Sequence, residues 1–186
     1  MSLLPTGEAM GDVVERAISV DAEISSLVGK YLTFALGEGR YGVHISKIRE
    51  IVKMMPVTAV PGTCSYVQGV INLRGKILPI VDLRAKFGLP LVKVNERSCI
   101  IVVEAHVLGK ANLIGTIVDC VQEVSNFQAK QLAPAPQYGL GRDNDFILGM
   151  ARGQDERVIV LLNIEKALAD PRITSIVPAS LGTMFS

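Results

Sequence analysis

The sequence predicts a mostly β protein in which one small strand-rich unit is built twice. Three observations point that way. Val, Ile and Leu gather in short runs broken by Gly, Pro, Asn or Asp, the pattern of short strands and tight turns. Glycines, acids and prolines of one half recur at a near-constant spacing in the other. The helical patterns near Asp82 and Asn163 are brief, and each follows a strand pair through a polar N-cap residue.

Met1 to Gly29 differs from the rest of the chain. Asp12 and Glu15 can form a capping pair ahead of Ala17 and Ile18, so residues 1–28 read as a flexible tail or as a tail with a short helix near 13–20. Tyr31 to Leu36 reads as a strand, Gly37-Glu38-Gly39 as a turn, and Arg40 to Ile45 as the returning strand. Ser46 to Lys53 carries a helix-like stripe at Ile48, Ile51 and Val52, while its β-branched content favours a bent strand. Pro56 and Pro61-Gly62 punctuate the chain.

The stretch from Gly69 to Gly88 organises the first half. Two apolar runs meet at Arg74-Gly75-Lys76, where Gly75 can supply the positive φ of a tight turn, giving a hairpin over Tyr66–Leu83. Asp82 sits at an N-cap position, Leu83 and Phe87 are spaced i,i+4, and Gly88 fits the position after a helix end. Pro90 to Glu96 is a connector. Arg97 to Glu104 and Ala111 to Val118 are strands joined by Leu108-Gly109-Lys110. Gln131 to Arg142 is loop-like, with Pro134, Pro136, Gly139 and Gly141. Phe146 to Met150 and Arg157 to Leu162 form another strand pair. Asn163 caps a short helix that Asp170-Pro171 ends, and residues 171–186 form a terminal segment.

The repeat has a definite register. At an offset of 73, Gly42 falls on Gly115, Glu50 on Glu123, Ile51 on Val124 and Pro61 on Pro134. Further on the register drifts: Gly69 answers Gly149, Arg74-Gly75 answers Arg152-Gly153, and Asp82-Leu83 answers Asn163-Ile164. The reading is two units of about five strands that share a core, because one unit of ~60 residues buries too little surface alone. Closed or nearly closed barrels would also remove exposed sheet edges.

Composition narrows the function classes. A net charge of +1 leaves no basic footprint for nucleic acid or an anionic membrane. Aromatics make up only 5% of the chain, which weakens any base-stacking reading. Cys64, Cys99 and Cys120 are widely spaced and read as buried small hydrophobes in a reducing compartment. No apolar run is long enough to span a membrane, and no signal-peptide pattern opens the chain, so a cytoplasmic protein is expected. His44 and His106 lack partners at ligand spacing, and no phosphate loop, dinucleotide fingerprint or nucleophile elbow occurs. Glu50 and Glu123 occupy equivalent repeat positions, which suits a structural or surface role better than acid/base work. The expectation is a binding module that is not an enzyme and needs no cofactor or metal. Arg74 at the hairpin tip is the residue best suited to a contact.

Three stretches carry a resemblance. They are Y-x-x-F-x-L-G-x-x-x-Y-G-V-x-I-x-x-I-x-E-I-V from Tyr31, V-P-G at Val60, and Y-V-x-G-V-I-N-L-R-G-K-I-L-P-I-V-D-L-R-x-K-F-G from Tyr66. In the second half L-I-G-T-I-V-D-C-V-Q-E-V, Q-x-x-P-A-P and V-L-L-N-I-E-K-A-L continue it. Over roughly Val28 to Asp170 the chain resembles the CheW-like domain, the adaptor of bacterial chemotaxis. The resemblance implies an all-β fold of two intertwined five-stranded SH3-like barrels with short connecting helices. It places the domain at 29–170, the first barrel mainly in 40–90 and the second mainly in 97–165, with strands exchanged. It implies a non-catalytic scaffold that binds the regulatory domain of the chemotaxis histidine kinase and the cytoplasmic tip of chemoreceptors, at receptor arrays. The implied receptor-binding positions, in a groove between the barrels, are Ile48, Glu50, Gly69, Arg74 and Gly75; the kinase contacts are not assigned. An adaptor of a parallel motility or second-messenger pathway is the nearest alternative, and a small-molecule-binding β-barrel the distant one.

Overall fold

Each hairpin forms because a run of β-branched residues folds back on itself at residues that tolerate positive φ. In the computed structural model, which describes residues 7–136 and 145–177, Arg74 and Gly75 adopt φ of 51° and 84°, and Leu108 and Gly109 adopt 51° and 75°. Two successive positive φ values are the mark of the tight turn that matches strand twist.

The elements in order are α1 (Gly7–Leu27), β1 (Gly29–Leu36), β2 (Gly39–His44), β3 (Ile48–Lys53), β4 (Val67–Leu73), β5 (Lys76–Asp82) and α2 (Leu83–Lys86). Then come β6 (Cys99–Val107), β7 (Lys110–Val118), β8 (Cys120–Phe127), β9 (Leu132–Pro134), β10 (Ile147–Arg152), β11 (Val158–Leu162), α3 (Ile164–Leu168) and α4 (Pro171–Thr174). The ambiguous stretch after Ile45 resolves as one 3-10 turn followed by strand β3. The expected caps are present: Asp82 accepts from the Arg84 N–H, and Asn163 from the Lys166 N–H. Asp170 ends α3 and also caps α4, accepting from the Arg172 N–H. Helix α1 is far longer than the short helix read near 13–20. Gly139 and Gly141 lie outside the described residues, as does the end of the 171–186 segment.

The strands form two sheets. One has the order β8-β1-β2-β11-β10-β9, the other β3-β6-β7-β5-β4. The first hairpin of each repeat unit therefore pairs with later strands of the other unit. Parallel contacts make the exchange: β11 runs beside β2, and β5 beside β7. The first sheet has six strands instead of the expected five because β9 pairs with β10. Its counterpart in the other sheet is the single bridge between Thr58 and Val70.

The register confirms the repeat and corrects it. Gly42 lies opposite Leu161 and Gly115 opposite Ile80, so these glycines are equivalent. Gly69 and Gly149 each follow a bulge and face Ile80 and Leu161. A Cβ at Gly69 would stand 2.0 Å from the Thr58 carbonyl oxygen, and one at Gly149 2.6 Å from that of Ala133. Thr58 thus matches Ala133, so Pro61 answers Pro136 rather than Pro134, which is itself a strand residue paired with Gly149. Counting on from Gly149, Arg152 opposite Val158 occupies the place of Asn72, and Gln154 the place of Arg74. The sequence match of Arg152-Gly153 to Arg74-Gly75 is out of register by two residues.

Three apolar clusters hold the sheets. Ile71, Leu73, Leu78, Ile80, Ile100 and Val102 pack within one sheet. Tyr31, Phe127, Leu132, Ala151, Ile159 and Leu161 pack within the other, joined by Leu27 of α1. The largest cluster draws on both sheets, with Phe34, Val43, Val81, Leu83, Ile101, Ile114, Leu162 and Leu168 buried in it. Burying a side chain of that size contributes ~1.5–3 kcal/mol. The shared cluster therefore makes the halves interdependent.

Candidate functional site at the β4–β5 hairpin

The hairpin tip presents Arg74 because the turn needs it at positive φ and leaves its side chain in solvent. The Gly75 N–H donates to Asn72 Oδ1 at 2.8 Å, which ties the turn to its own strand. Across the sheet, edge strand β3 carries a bulge between Ile48 and Glu50 that re-aims the Glu50 side chain. Arg74 Nη1 donates to Glu50 Oε1 and Nη2 to Glu50 Oε2, both at 2.8 Å. This two-pronged geometry is the strong, directional form of an Arg–carboxylate contact. It holds the Glu50 carboxyl below its usual range, chiefly through those hydrogen bonds, and raises Arg74 for the same reason. The Arg74 side chain is nevertheless 72% exposed. Such a pair adds little to stability; what it does is hold an exposed guanidinium in one orientation.

The fork walls a recess of about 190 Å³ floored by Leu73, Leu78 and Leu113, with Lys76 at its edge. Apolar floor and charged rim together suit an amphipathic partner.

The structure brings Glu50, Arg74 and Gly75 together. Gly69 is buried at the far end of β4, where only glycine lets the Thr58 carbonyl approach. Ile48 begins β3 and packs on the inter-sheet cluster. None of the five lines the aromatic groove between the β2–β11–β10 part of the first sheet and α2. That groove, about 440 Å³, is lined by Tyr41, Phe87, Leu89, Phe146, Ile147, Val160 and Leu162, with Lys86 beside them. Four of the nine aromatic rings form a ladder there: Phe34 to Tyr41 at 6.1 Å, Tyr41 to Phe87 at 6.0 Å, and Phe87 to Phe146 at 5.0 Å. Sequence reasoning missed it. The one available signal was the scarcity of aromatics, which makes each worth tracing.

A cleft of about 810 Å³ is polar and open, with Arg40, Arg97, Arg157, Glu38 and Asp119 on its walls. Several of its charged groups already have partners. Arg40 bonds Asp155, and the buried Arg84 bonds Asp119. His44 caps the 3-10 turn through Ser46, and His106 meets Glu165 at 2.9 Å. Neither histidine lines this cleft.

Comparison with known proteins agrees with this architecture. The CheW-like domain family matches residues 30–172. A chemotaxis protein CheW from Klebsiella aerogenes is 35% identical, over 80% of this chain and 89% of that protein. One from Helicobacter pylori is 32% identical, over 84% and 94%. The crystal structure of the scaffolding protein TtCheW from Thermoanaerobacter tengcongensis superposes with a TM-score of 0.66 at 33% identity, covering 77% of this chain and 94% of that one.

Proposed function

The chain belongs to the CheW-like domain family, and from that premise we propose how it works. It is a chemotaxis scaffold, a coupling protein that acts by binding and catalyses nothing. It joins the cytoplasmic tip of chemoreceptors to the regulatory domain of the chemotaxis histidine kinase and reaches the membrane only through those receptors. Among the described residues no helix is long and apolar enough to cross a membrane. The working domain is 29–170, flanked by 1–28 and 171–186.

The observation that carries the site is the Glu50–Arg74 fork over an apolar recess. A receptor helix lays its apolar stripe against Leu73, Leu78 and Leu113, and the fork sets its register. Ile48 and Gly69 support the contact from the ends of β3 and β4. Arg74→Glu places like charges side by side and should weaken binding of a receptor cytoplasmic fragment by ~10-fold or more. Calorimetric titration reads this, with the thermal melt and kinase-domain binding unchanged. If the variant binds the receptor fragment as the parent does, the site assignment fails.

The aromatic groove between the first sheet and α2 favours a second placement of the same helix, because it is the wider apolar bed. Phe146→Ala would then cost more receptor affinity than Arg74→Glu.

A further inference from the structure

The polar cleft beside the β1–β2 turn has no task in the coupling role. It shares no lining residue with the recess under the fork or with the aromatic groove. At about 810 Å³ it has room for a small ligand. Both units build it: the Gly37–Gly39 turn belongs to the first, the starts of β8 and β11 to the second, and the connector at Asn95 and Arg97 closes the side. Most ligand pockets are lined mainly by apolar and aromatic side chains. Here the aliphatic lining is limited to Ala35 and Val158, and none of the described lining residues is aromatic. A base or an acyl chain would find nothing to stack on or bury against. The lining suits a ligand that is polar over its whole surface.

Its polar groups fall into two sets. The first is three arginines. Arg40 Nη1 stands 2.7 Å and Arg157 Nε 3.7 Å from the same Asp155 oxygen, so these two guanidiniums converge. Arg97 faces no carboxylate among the described residues, and its Nη2 donates to Cys120 Sγ at 3.2 Å. Asp119 does little to offset them, because its Oδ2 already accepts from the Gly37 N–H and from Arg84. Arg84 is itself buried, with its Nε unpartnered, and adds positive charge behind that wall. Arginine forks match phosphate and carboxylate oxygens. The second set is Glu38, Asn95 and Gln122. The Asn95 Oδ1 accepts from the Arg97 N–H, which leaves its amide donors free. A carboxylate and two amides bond well to hydroxyl groups, and Glu38 disfavours a ligand that is anionic throughout. We propose that this cleft binds a small anionic polyol, of the class of sugar phosphates and sugar acids. Its anionic group lies among Arg40, Arg97 and Arg157, and its hydroxyls bond to Glu38, Asn95 and Gln122.

Calorimetric titration of the full chain with glucose 6-phosphate and with gluconate tests this, with glucose and inorganic phosphate as controls. At least one of the two anionic polyols should bind ~10-fold or more tightly than either control, because each control keeps only one set of contacts. The tighter of the two identifies the anionic group. Arg97→Gln and Arg157→Gln should each weaken that binding ~10-fold and leave the thermal melt unchanged, since both side chains are exposed. Cys120 reports the place without any substitution. Bound ligand should slow its alkylation by iodoacetamide, read by peptide mass, and should leave Cys64, outside the cleft, unaffected. Three results would each overturn the proposal. One is no binding of either anionic polyol up to about 10 mM, weaker than a specific site. Another is a control that binds as tightly as the better polyol. The third is a bound ligand that fails to protect Cys120. Receptor-fragment binding by Arg97→Gln should equal the parent's, which separates failure here from failure of the coupling reading.

Discussion

The two hairpin mouths, one in each repeat unit, share a frame and differ in chemistry. Glu50 in one and Glu123 in the other stand on equivalent bulged edge strands. Gly69 and Gly149 hold equivalent close approaches to a neighbouring carbonyl. The turns then diverge. The first has two residues, Arg74 and Gly75. The second is longer, with Glu156 at a φ of 62° and the Gly153 N–H donating to the Arg157 carbonyl at 2.9 Å. Gln154 lines the second recess where Arg74 lines the first. Glu123 accepts from Ser125 instead of an arginine, while Arg152 reaches Glu156 at 3.7 Å. The duplication preserved what the backbone needs, and the charged fork is present in one copy only. A contact site on one face of a doubled fold is then told apart by that asymmetry.

The largest effect should come from testing the shared frame. Gly69→Ala drives a Cβ into a backbone oxygen at a φ of 139° and should cost ~3 kcal/mol or more in urea unfolding. Gly149→Ala should cost less, since its clash with Ala133 is milder and its other contact is the movable Leu27 side chain. Equal losses would mean the two approaches are not graded as described.

Next is the difference itself. Arg74→Gln makes the first mouth resemble the second. Receptor binding should fall ~10-fold while the melting temperature stays put, because the exposed pair adds little stability. A matching loss of stability would make the fork structural.

The helices after each hairpin offer a smaller contrast. In the first copy α2 stops at Lys86, with Gly88 at a φ of 67° just beyond it, whereas in the second α3 leads through Asp170 into α4, whose Ile173 is buried in the inter-sheet cluster. Asp170 accepts from Arg172 and from the Tyr66 hydroxyl of the first half, with Lys86 4.2 Å above the Tyr66 ring. The Arg172 hydrogen bonds, with help from Tyr66, hold the Asp170 carboxyl well below the usual range against its partial burial. Asp170→Ala should destabilise by ~1 kcal/mol through the lost cap, read as an earlier chemical-denaturation midpoint.

The smallest effect is in pH. Because Glu50's folded pKa is depressed, the fork's contribution is present above the ordinary value of 4.5 and is lost as pH falls through the folded one. Receptor binding should therefore stay flat from about pH 7 to 5 and decline only in stronger acid. In an NMR titration of the carboxyl, Arg74→Gln should move the Glu50 midpoint back up. A midpoint unmoved by the substitution would mean the hydrogen bonds are not made in solution.

Much of this was legible in the sequence. The turn at Arg74-Gly75, the Asp82 and Asn163 caps, and the doubling of the unit depend on neighbours along the chain. Strand alternation, positive-φ residues and capping side chains report such neighbours directly. The partner of Arg74 was not legible: Glu50 lies 24 residues away on a strand whose bulge decides where its side chain points. The register of the second mouth was misread because insertions before β10 and within its turn left two R-G pairs that look alike but sit two residues apart in the sheet. A strand shift changes which side chains face one another without changing local composition.

The sequence by itself determined the class of fold, the doubled unit, its hairpins and caps, and the family to which the chain belongs. Only the tertiary structure decided which strands are exchanged between the units, that the fork exists in one copy, and that α1 leaves the body with an apolar face uncovered. The reason is physical. Local conformation is set by residues a few positions apart, whereas pairing across β2 and β11, the meeting of Glu50 and Arg74, and the anchoring of Leu27 are contacts between distant segments that only the packed chain brings together.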